Sequence, residues 1–246
     1  MTNKKFEQRN KQKVDLMAKD RHFRNLSKSW FMNSVKYEYS YHFTWLGRPI
    51  IQYPQDIIAL QEIIWKVKPD LIIETGIAHG GSLIFSASML ELIGHGEVLG
   101  IDVDIRESNR KEIEKHPLYK RISMIEGSSI SDKVAKRVYR FARGKNRVLV
   151  VLDSNHTHEH VLNEMGLYSP LVTKGSYMIV FDTIIEDISD LSKSSSYKRA
   201  WGKGNNPKTA VKKFLKGNSR FVIDNEIENK LMITVAPSGY LKCIKD

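Results

Sequence analysis

Acidic residues recur at one kind of position in this sequence, at or near the end of a short apolar run. Glu74 stands near the end of LIIET, Asp102 near the end of EVLGIDV, Asp153 closes VLVVLD and Asp182 closes YMIVFD. Carboxylates accept hydrogen bonds from hydroxyl and ammonium groups, and they ligate hard divalent cations. If the runs are parallel strands, their carboxyl ends meet at one crevice. The spacing therefore predicts four carboxylates around one ligand site.

A glycine-rich turn, GIAHGGS, follows the first of these runs. Turns of this sort hold nucleoside triphosphates, dinucleotides or S-adenosylmethionine (SAM). Triphosphate binding is disfavoured because Gly80-Gly81-Ser82 lacks the lysine of a P-loop. The dinucleotide fingerprint fits only loosely, through Gly76, Ala78 and Gly81, and Glu74 would repel a pyrophosphate.

The pattern acid-x-Gly-x-Gly-x-Gly fits the same turn better, with Glu74, Gly76, Ala78 and Gly80. It favours SAM, because the ammonium group of this ligand needs a carboxylate network and the glycines would let the backbone approach it. Asp102, at the second strand end, can accept both ribose hydroxyls of an adenosine, which suits either NAD or SAM. After the third strand, the hydroxyls of Ser128 and Ser129, or the local backbone, are expected to meet the adenine.

The fourth and fifth strand ends indicate a metal. Asp153 and Asp182 on neighbouring strands suit Mg²⁺, which prefers one or two carboxylates and keeps several waters. Such a metal could bind a substrate hydroxyl and lower its pKa. His156, three residues beyond Asp153, could then take the proton as a general base. The run HTHEH lacks the HEXXH zinc pattern; if it is helical, His156 and His160 share a face.

Alternating elements are expected to position these residues. Five β-branched runs, with helix-like stretches between them, predict an α/β fold whose mainly parallel sheet has helices on both faces. All five are expected to be central. The last two runs, FVIDNEI and KLMITVAPSGYLKCI, predict an antiparallel pair joined by a short polar turn. Seven strands with a reversed last hairpin predict a Rossmann-like class I methyltransferase.

Composition limits the class of protein. The 246 residues predict one domain over 46–246 preceded by a helical extension over 1–45. The extension's aromatic side chains are expected to pack on the core, to cover substrate or to form a homo-oligomer. A single cysteine excludes a disulfide framework and suits a reducing cytoplasm. No signal peptide or membrane span is predicted. The formal charge of +11 comes from basic residues in several runs and in the N-terminal stretch, without a recognition motif, so no specific nucleic acid partner is expected. Solvated helix faces explain most of this charge, and an anionic substrate or a membrane surface remains a further possibility.

A polar stretch over 183–206 is predicted to form a lid on the acceptor site. Its suggested acceptor contacts are Tyr197, Arg199 and Trp201. Glu186 and Asp187 are candidate metal ligands that would arrive with the lid. A disordered connector is the alternative.

Several of these runs together resemble the cephalosporin hydroxylase family. They are PDLIIETGIAHGGSLIFSASML, GRPIIQYPQD, LDSNHTHEHV, WGKGNNPKTAV and APSGYLK, and the resemblance extends from about Trp45. That family looks like class I SAM-dependent O-methyltransferases acting on hydroxyls of antibiotics or sugars. The resemblance implies that SAM binds near Glu74 to Ser82 and at Asp102, and that the acids ending the fourth and fifth strands, Asp153 and Asp182, hold Mg²⁺. Together with the strand-end analysis, the predicted SAM-binding residues are Glu74, Gly76, Ala78, His79, Gly80, Ser82, Asp102, Ser128, Ser129 and Asp153.

One position departs from the family pattern. Its fifth strand end looks like Glu-Asp, whereas this chain has Phe181-Asp182. Thr183 or a water would then fill the vacant coordination position. If the metal were weak or absent, His156 would carry more of the deprotonation.

Other functions remain open at this stage. A nicotinamide-dependent oxidoreductase predicts pyrophosphate contacts. A non-heme iron oxygenase needs two histidines and one carboxylate, for which His156, His160 and Asp153 are the candidates. A basic nucleic-acid-binding protein on the same scaffold is the alternative without catalysis. The preferred prediction is a SAM-dependent O-methyltransferase whose acceptor is a glycan or small-molecule hydroxyl.

Overall fold

A seven-stranded sheet forms the centre of the computed structural model, which describes residues 3–188 and 199–246. In chain order its strands are β3 (Leu71–Thr75), β4 (Glu97–Asp102), β5 (Ile122–Glu126), β6 (Val148–Leu152), β7 (Tyr177–Val180), β8 (Phe221–Ile223) and β9 (Tyr240–Cys243). Within the sheet they lie in the order β5-β4-β3-β6-β7-β9-β8. Two shorter strands, β1 (Phe43–Trp45) and β2 (Arg48–Ile50), form a separate antiparallel hairpin.

Helices cover both faces of the large sheet. They are α1 (Asn3–Lys19), α2 (Arg21–Val35), α3 (Pro54–Val67), α4 (Gly81–Ile93), α5 (Glu107–Glu114), α6 (Asp132–Ala142), α7 (His158–Tyr168), α8 (Pro207–Gly217) and α9 (Asn225–Leu231). Alternate side chains of β3 enter different hydrophobic clusters, with Ile72 on the α3 and α4 side and Ile73 on the α6, α7 and α8 side. The α/β prediction with a mainly parallel sheet is confirmed.

The last strand is antiparallel to its neighbours, as predicted. The prediction that only a short turn precedes it was wrong. β9 pairs antiparallel with both β7 and β8. Between β8 and β9 the chain forms α9 and then a segment that Asp56 holds against α3. This buried carboxylate accepts hydrogen bonds from the Val235 N–H at 3.0 Å and the Tyr240 hydroxyl at 2.6 Å. The apolar run around Val235 therefore packs as a loop, and the strand begins later.

The prediction that five strands are central was wrong for β5. This strand lies at the edge of the sheet and pairs with β4 alone. Only Ile122 and Ile125 are buried, whereas Glu126 is exposed. The run RISMIEG has two deeply buried apolar positions, which is enough for an edge strand with one covered face.

The N-terminal residues combine two helices with the small hairpin. Phe31 of α2 is buried in the core, and the indole of Trp45 donates to Ser88 of α4 at 3.0 Å. The hairpin crosses the predicted boundary between residues 45 and 46, and that division into extension and domain stays a prediction. Among the described helices, none is long and apolar enough to cross a bilayer.

Candidate active site

The carboxyl ends of four neighbouring parallel strands form one site. Thr75 of β3 lies opposite Ile101 of β4 and Leu152 of β6, and Leu152 lies opposite Val180 of β7. This register places Glu74, Asp102, Asp153 and Asp182 at one edge of the sheet, as the sequence predicted. Parallel strands meet the ligand at this edge in open α/β folds.

Two glycines of the turn are required by close contacts within the protein. A Cβ at Gly76, where φ is +91°, would lie 2.1 Å from the carbonyl oxygen of Asp153. A Cβ at Gly80 would lie 2.4 Å from the side chain of Ile113 on α5. The expectation that these two glycines make room for a ligand was therefore incomplete. They let β3 approach the Asp153 loop and let the turn approach α5.

The backbone of the same turn is fixed by polar contacts. The Asp102 carboxylate accepts from the N–H of Ile77 at 2.8 Å and from that of Ala78 at 3.4 Å. The carbonyl of His79 accepts from the Arg48 guanidinium at 2.7 Å. Asp102 thus stabilises the turn and keeps its remaining lone pairs for a ligand. Its contact with a ribose stays a prediction.

Glu74 is a buried carboxylate with one satisfied oxygen. The hydroxyl of Ser82 donates to its Oε1, and Oε2 has no hydrogen-bond partner among the described residues. Burial raises the pKa of Glu74 to about 7, and the Ser82 hydrogen bond opposes that rise. An unpartnered buried acceptor calls for a donor. The ammonium group of SAM has the charge and the N–H groups to satisfy Glu74, so the residue fits this ligand.

Asp153, His156 and Asp182 form a compact cluster beside Glu74. One ligand atom from each of the three lies within 4.8 Å of the others, and His156 Nε2 is 3.2 Å from Asp182 Oδ2. Burial raises the pKa of Asp153 well above its usual value, and the nearby charges of Asp182 and Glu74 raise it further. A divalent cation would relieve this repulsion. The donor set of two carboxylates therefore fits Mg²⁺.

Backbone geometry aims Asp182 at this cluster. The preceding residue, Phe181, is 3 % exposed and packs in the hydrophobic core, and Asp182 itself has φ of +55°. A non-glycine residue in this left-handed region is uncommon, and such residues are enriched at functional sites. Thr183 follows, but its hydroxyl donates to the carbonyl of Pro237 at 2.7 Å. The proton of this hydroxyl is therefore engaged by Pro237, and coordination of a metal by the Thr183 oxygen stays a prediction.

Gln52 belongs to the site, and sequence reasoning missed it. Its amide Nε2 donates to Asp153 Oδ2 at 3.0 Å, and its own Oε1 is buried without a partner among the described residues. Gln52 lies in the run IIQYPQD, 101 positions before Asp153. No periodicity or motif connects two residues so far apart, and only its presence in a run shared with the cephalosporin hydroxylase family could have drawn attention to it.

The other histidines and Ser129 have different surroundings from those predicted. His156 lies in the loop before α7, so His156 and His160 do not share a helix face. His160 Nε2 lies 3.0 Å from the Ser129 hydroxyl, which in turn donates to buried Glu164 at 2.6 Å. The Ser154 hydroxyl also donates to Glu164, at 2.7 Å.

Two predictions change accordingly. The proton of the Ser129 hydroxyl is engaged by Glu164, which was not foreseen, and the contact of Ser128 with adenine stays a prediction. Among the described residues, the only group of three or more possible metal ligands contains one histidine, His156. The two-histidine set that a non-heme iron oxygenase needs is therefore not assembled there.

The predicted lid is only partly described, because Tyr197 lies outside the described residues. Its first residues, Thr183–Glu186, form a short 3-10 helix. The ring of Trp201 meets His156 edge-on at a centroid distance of 4.9 Å, and the Arg199 guanidinium lies 6.0 Å from the Trp201 ring. Trp201 therefore contacts the acid–histidine cluster, which consists of Asp153, His156 and Asp182. Closure of the stretch over an acceptor stays a prediction.

The two acids of this stretch have structural partners. Glu186 accepts a hydrogen bond from the Gly204 N–H at 2.8 Å, and Lys208 donates to Asp187 at 2.6 Å. The first contact joins the two ends of the stretch, and the second connects the stretch to α8. In this conformation Glu186 and Asp187 are bound to other residues, and their arrival at the metal with the lid stays a prediction.

Comparison with known proteins decides the family. The family model described as rhamnosyl O-methyltransferase/CmcI matches residues 37–244. The chain belongs to this family. The match confirms the resemblance to the cephalosporin hydroxylase family and the assignment to SAM-dependent O-methyltransferases.

Individual relatives agree with this family. The rhamnosyl O-methyltransferase of Mycobacterium leprae is 32% identical over 57% of this chain and 60% of its own length, so the match spans less than two thirds of that protein. The rhamnosyl O-methyltransferase of Mycobacterium tuberculosis H37Rv is 29% identical over 80% of this chain and 77% of its own length. A solved CmcI structure described as Mg-SAM has a TM-score of 0.58 at 18% identity, over 83% of this chain and 78% of that one. The structural likeness confirms the class I methyltransferase fold.

Proposed function

We propose that this rhamnosyl O-methyltransferase/CmcI family member transfers a methyl group from SAM to a sugar hydroxyl with the help of Mg²⁺. The observation that carries the proposal is the cluster of Asp153, His156 and Asp182 beside the buried Glu74. The relatives named as rhamnosyl O-methyltransferases support a sugar acceptor, and rhamnose is the first sugar to test. The CmcI structure described as Mg-SAM supports both SAM and Mg²⁺.

SAM would lie along the carboxyl ends of β3 and β4. Glu74, held by Ser82, would accept from the ammonium group, and Asp102 would accept from the ribose hydroxyls. The turn from Gly76 to Gly80 would border the ligand, with Ala78 and His79 exposed or partly exposed there. Ser128 would border the adenine. Asp153, a member of the Asp153–His156–Asp182 cluster beside Glu74, would border both the ligand and the metal.

Asp153 and Asp182 would hold the metal, with Gln52 orienting Asp153. When bound, SAM supplies an electrophilic methyl group and Mg²⁺ lowers the pKa of the acceptor hydroxyl. His156 is a less natural ligand for Mg²⁺, which prefers oxygen donors. We therefore assign His156 to proton transfer and the two carboxylates to the metal.

The reaction balances as a displacement at carbon. The acceptor oxygen forms a bond to the methyl carbon as the bond from that carbon to sulfur breaks, giving a methyl ether and S-adenosylhomocysteine. His156 accepts the hydroxyl proton, and Asp182, 3.2 Å from Nε2, stabilises the imidazolium that forms. Trp201 shields His156 on one side and would restrict water there. Orientation of the two substrates supplies much of the rate.

The proposal is tested by product analysis with a set of sugar acceptors. Purified protein is incubated with SAM, Mg²⁺ and rhamnosides, glucosides or galactosides that have free hydroxyls, and products are identified by mass spectrometry. We expect a singly methylated rhamnoside and an equal amount of S-adenosylhomocysteine. Methylation of a phenol or an antibiotic hydroxyl, with none of any sugar, would exclude the sugar acceptor.

Location and assembly are separate proposals. We infer a cytoplasmic location, since the chain contains one buried cysteine and since SAM is needed as a substrate. Cell fractionation tests it, and a periplasmic or secreted product would contradict it. A homo-oligomer stays a prediction that sedimentation velocity can test.

A further inference from the structure

The first two helices combine exposed apolar side chains with an excess of positive charge. Residues 3–36 contain ten Lys or Arg and three Asp or Glu, so this segment carries +7 of the formal charge of +11. The excess of positive charge is thus concentrated here rather than spread over several runs of the chain as expected. All ten basic residues are exposed. Among the described residues, Lys11 alone of the ten forms an ion pair, with Glu226 of α9. The N-terminal segment is thus a basic surface with few internal partners.

Large apolar side chains lie on the same surface. Phe6 and Leu16 of α1 are exposed, and so are Phe23, Leu26 and Trp30 of α2. On α2 these three positions are spaced i, i+3 and i+7, so they follow one side of the helix. The core-facing positions of α2 are Ser27, Phe31 and Ser34. Phe23 and Leu26 therefore lie beside the part of the helix that packs on the domain, and Trp30 stands at its border, with one edge against Tyr53 and 41 % of its surface exposed.

We propose that α1 and α2 bind the surface of an anionic lipid bilayer, with Phe23, Leu26 and Trp30 at the level of the headgroups. Helices that lie on a membrane combine Lys and Arg with Trp, Phe and Leu in this way. Anionic lipids attract the basic side chains, and burial of the apolar ones adds a contribution that does not depend on charge. This proposal does not depend on the proposed methyl transfer.

Charge and apolarity together favour a bilayer over other occupants. A second copy of the chain would bring two basic surfaces together, and they would repel each other. A nucleic acid would satisfy the charge, and it could stack on Trp30 or Phe23, but it gives no reason for aliphatic Leu16 and Leu26 to be exposed. An anionic bilayer satisfies both properties.

One layer of aromatic side chains separates the surface of α2 from the cluster of Asp153, His156 and Asp182. Phe31 stacks on Tyr53 at 5.0 Å between ring centroids, and the Ser34 hydroxyl lies 2.8 Å from that of Tyr53. Trp30 also meets Tyr53, edge-on at 6.3 Å. The residue before Tyr53 is Gln52, which binds Asp153. A protein bound through α2 would hold its active site close to the lipid surface, where a hydroxyl on an amphiphile could reach it.

Vesicle flotation of the full chain tests the proposal. Vesicles of phosphatidylcholine alone are compared with vesicles that also contain phosphatidylglycerol, at low and high salt. We expect binding to the anionic vesicles only, weakened by salt. Brominated lipids should quench part of the tryptophan emission, and Trp30→Phe should remove that part while leaving Trp45, Trp65 and Trp201.

Matched variants separate the α2 surface from general charge. The triple variant R21E/R24E/K28E changes α2, and K136E/R137E/R140E makes the same change in charge on exposed positions of α6. Each basic residue near an anionic surface is worth about fivefold in binding, so the α2 variant should lose binding by at least about tenfold more than the α6 variant. F23S/L26S/W30S should also lose binding, whereas exposed Leu92→Ser on α4 should not.

Several results would overturn the proposal. These are equal binding to neutral and anionic vesicles, equal loss in both charge variants, and absence of quenching by brominated lipid in the unmodified protein. Dimerisation that F23S/L26S/W30S abolishes, without vesicle binding, would assign the surface to a second copy. Tight RNA or DNA binding without vesicle binding would assign it to nucleic acid. Circular dichroism of each variant establishes that the fold is intact.

Discussion

His156 Nε2 lies 3.2 Å from Asp182 Oδ2, and the two residues come from different loops at the carboxyl ends of β6 and β7. Asp182 takes a left-handed backbone conformation, and His156 precedes the first turn of α7. Neither arrangement is needed to complete the sheet. The pairing places the His156 imidazole between two carboxylates, Asp182 and Asp153.

This pairing predicts different effects for two neighbouring histidines. His156→Ala should lower kcat by about 10²–10⁴-fold, the usual contribution of a general base, with little change in SAM affinity. His158 is the control, because its Nδ1 lies 2.7 Å from the Thr209 hydroxyl on α8. Steady-state rates with saturating SAM provide the measurement. Equal losses in His156→Ala and His158→Ala would contradict a specific role in proton transfer.

Burial of Glu74 predicts a pH dependence of stability in the ligand-free protein. Its pKa is raised from 4.5 to about 7, so the folded protein binds a proton that the unfolded chain releases between these pH values. Stability from this group is therefore present below about pH 4.5 and is lost as pH rises towards 7, by at most roughly 1.4 kcal/mol per pH unit. Burial also raises the pKa of Asp56 to about 6, so this residue adds a further loss of stability as pH rises.

Thermal melting between pH 5 and pH 7.5 measures this loss. Glu74→Gln should reduce the fall in Tm across the range and leave the shares that belong to Asp56 and Asp153, two other buried carboxyls with raised pKa. Glu74→Gln should also weaken SAM binding, because a neutral amide cannot pair with an ammonium group. An unchanged pH profile together with unchanged SAM affinity would contradict the assigned position of Glu74.

Substitution of two glycines with nearly the same φ distinguishes the cost of backbone strain from the cost of a steric collision. Gly76 has φ of +91° and Gly94 has φ of +92°, yet a Cβ at Gly94 would meet nothing within 4 Å. Gly94→Ala should cost about 1–2 kcal/mol of unfolding free energy from its left-handed backbone alone. Gly76→Ala should cost more, because its Cβ would collide with the Asp153 carbonyl, and it should also impair catalysis. Denaturant unfolding compares the two, and equal costs would exclude the collision.

Substitution of Gln52, which does not lie at a strand end of the large sheet, should also lower activity. Gln52→Leu removes the donor to Asp153 Oδ2, and a hydrogen bond to a charged group contributes about 1.5–3 kcal/mol. We expect kcat/KM to fall about tenfold to a hundredfold, with a higher Mg²⁺ concentration needed for half-maximal rate. Gln55→Leu is the control, because Gln55 lies in the same run and its Oε1 is also unpartnered among the described residues. A Gln52→Leu enzyme with unchanged Mg²⁺ dependence would contradict the role.

Sequence patterns predicted the scaffold well where local signals were strong. The runs from Leu71 to Val180 alternate with capped helices, and parallel strands with helices between them follow from that alternation. The acids at four strand ends could be assigned to one site for the same reason. The region after β8 was harder, because the apolar run around Val235 looks like a strand and is held as a loop by Asp56, far away in the chain.

Contacts distant in sequence explain what the sequence patterns did not indicate. Gln52 donates a hydrogen bond to Asp153, and Glu164 accepts hydrogen bonds from the hydroxyls of Ser129 and Ser154. No sequence motif indicates either contact. Glu186 looked like a metal ligand because an acid in a polar loop has no visible partner in the sequence. Its hydrogen bond from Gly204 appears only when the chain is folded.

The most direct test of the account is the rate of S-adenosylhomocysteine formation with a rhamnoside acceptor as Mg²⁺ is added back after chelation. The unmodified protein, Asp153→Asn and Asp182→Asn are compared, with SAM binding measured in parallel by calorimetry. The account predicts a rate that rises with Mg²⁺ in the unmodified protein and is strongly reduced in both variants. A full rate without divalent metal, or full activity in both variants, would contradict it.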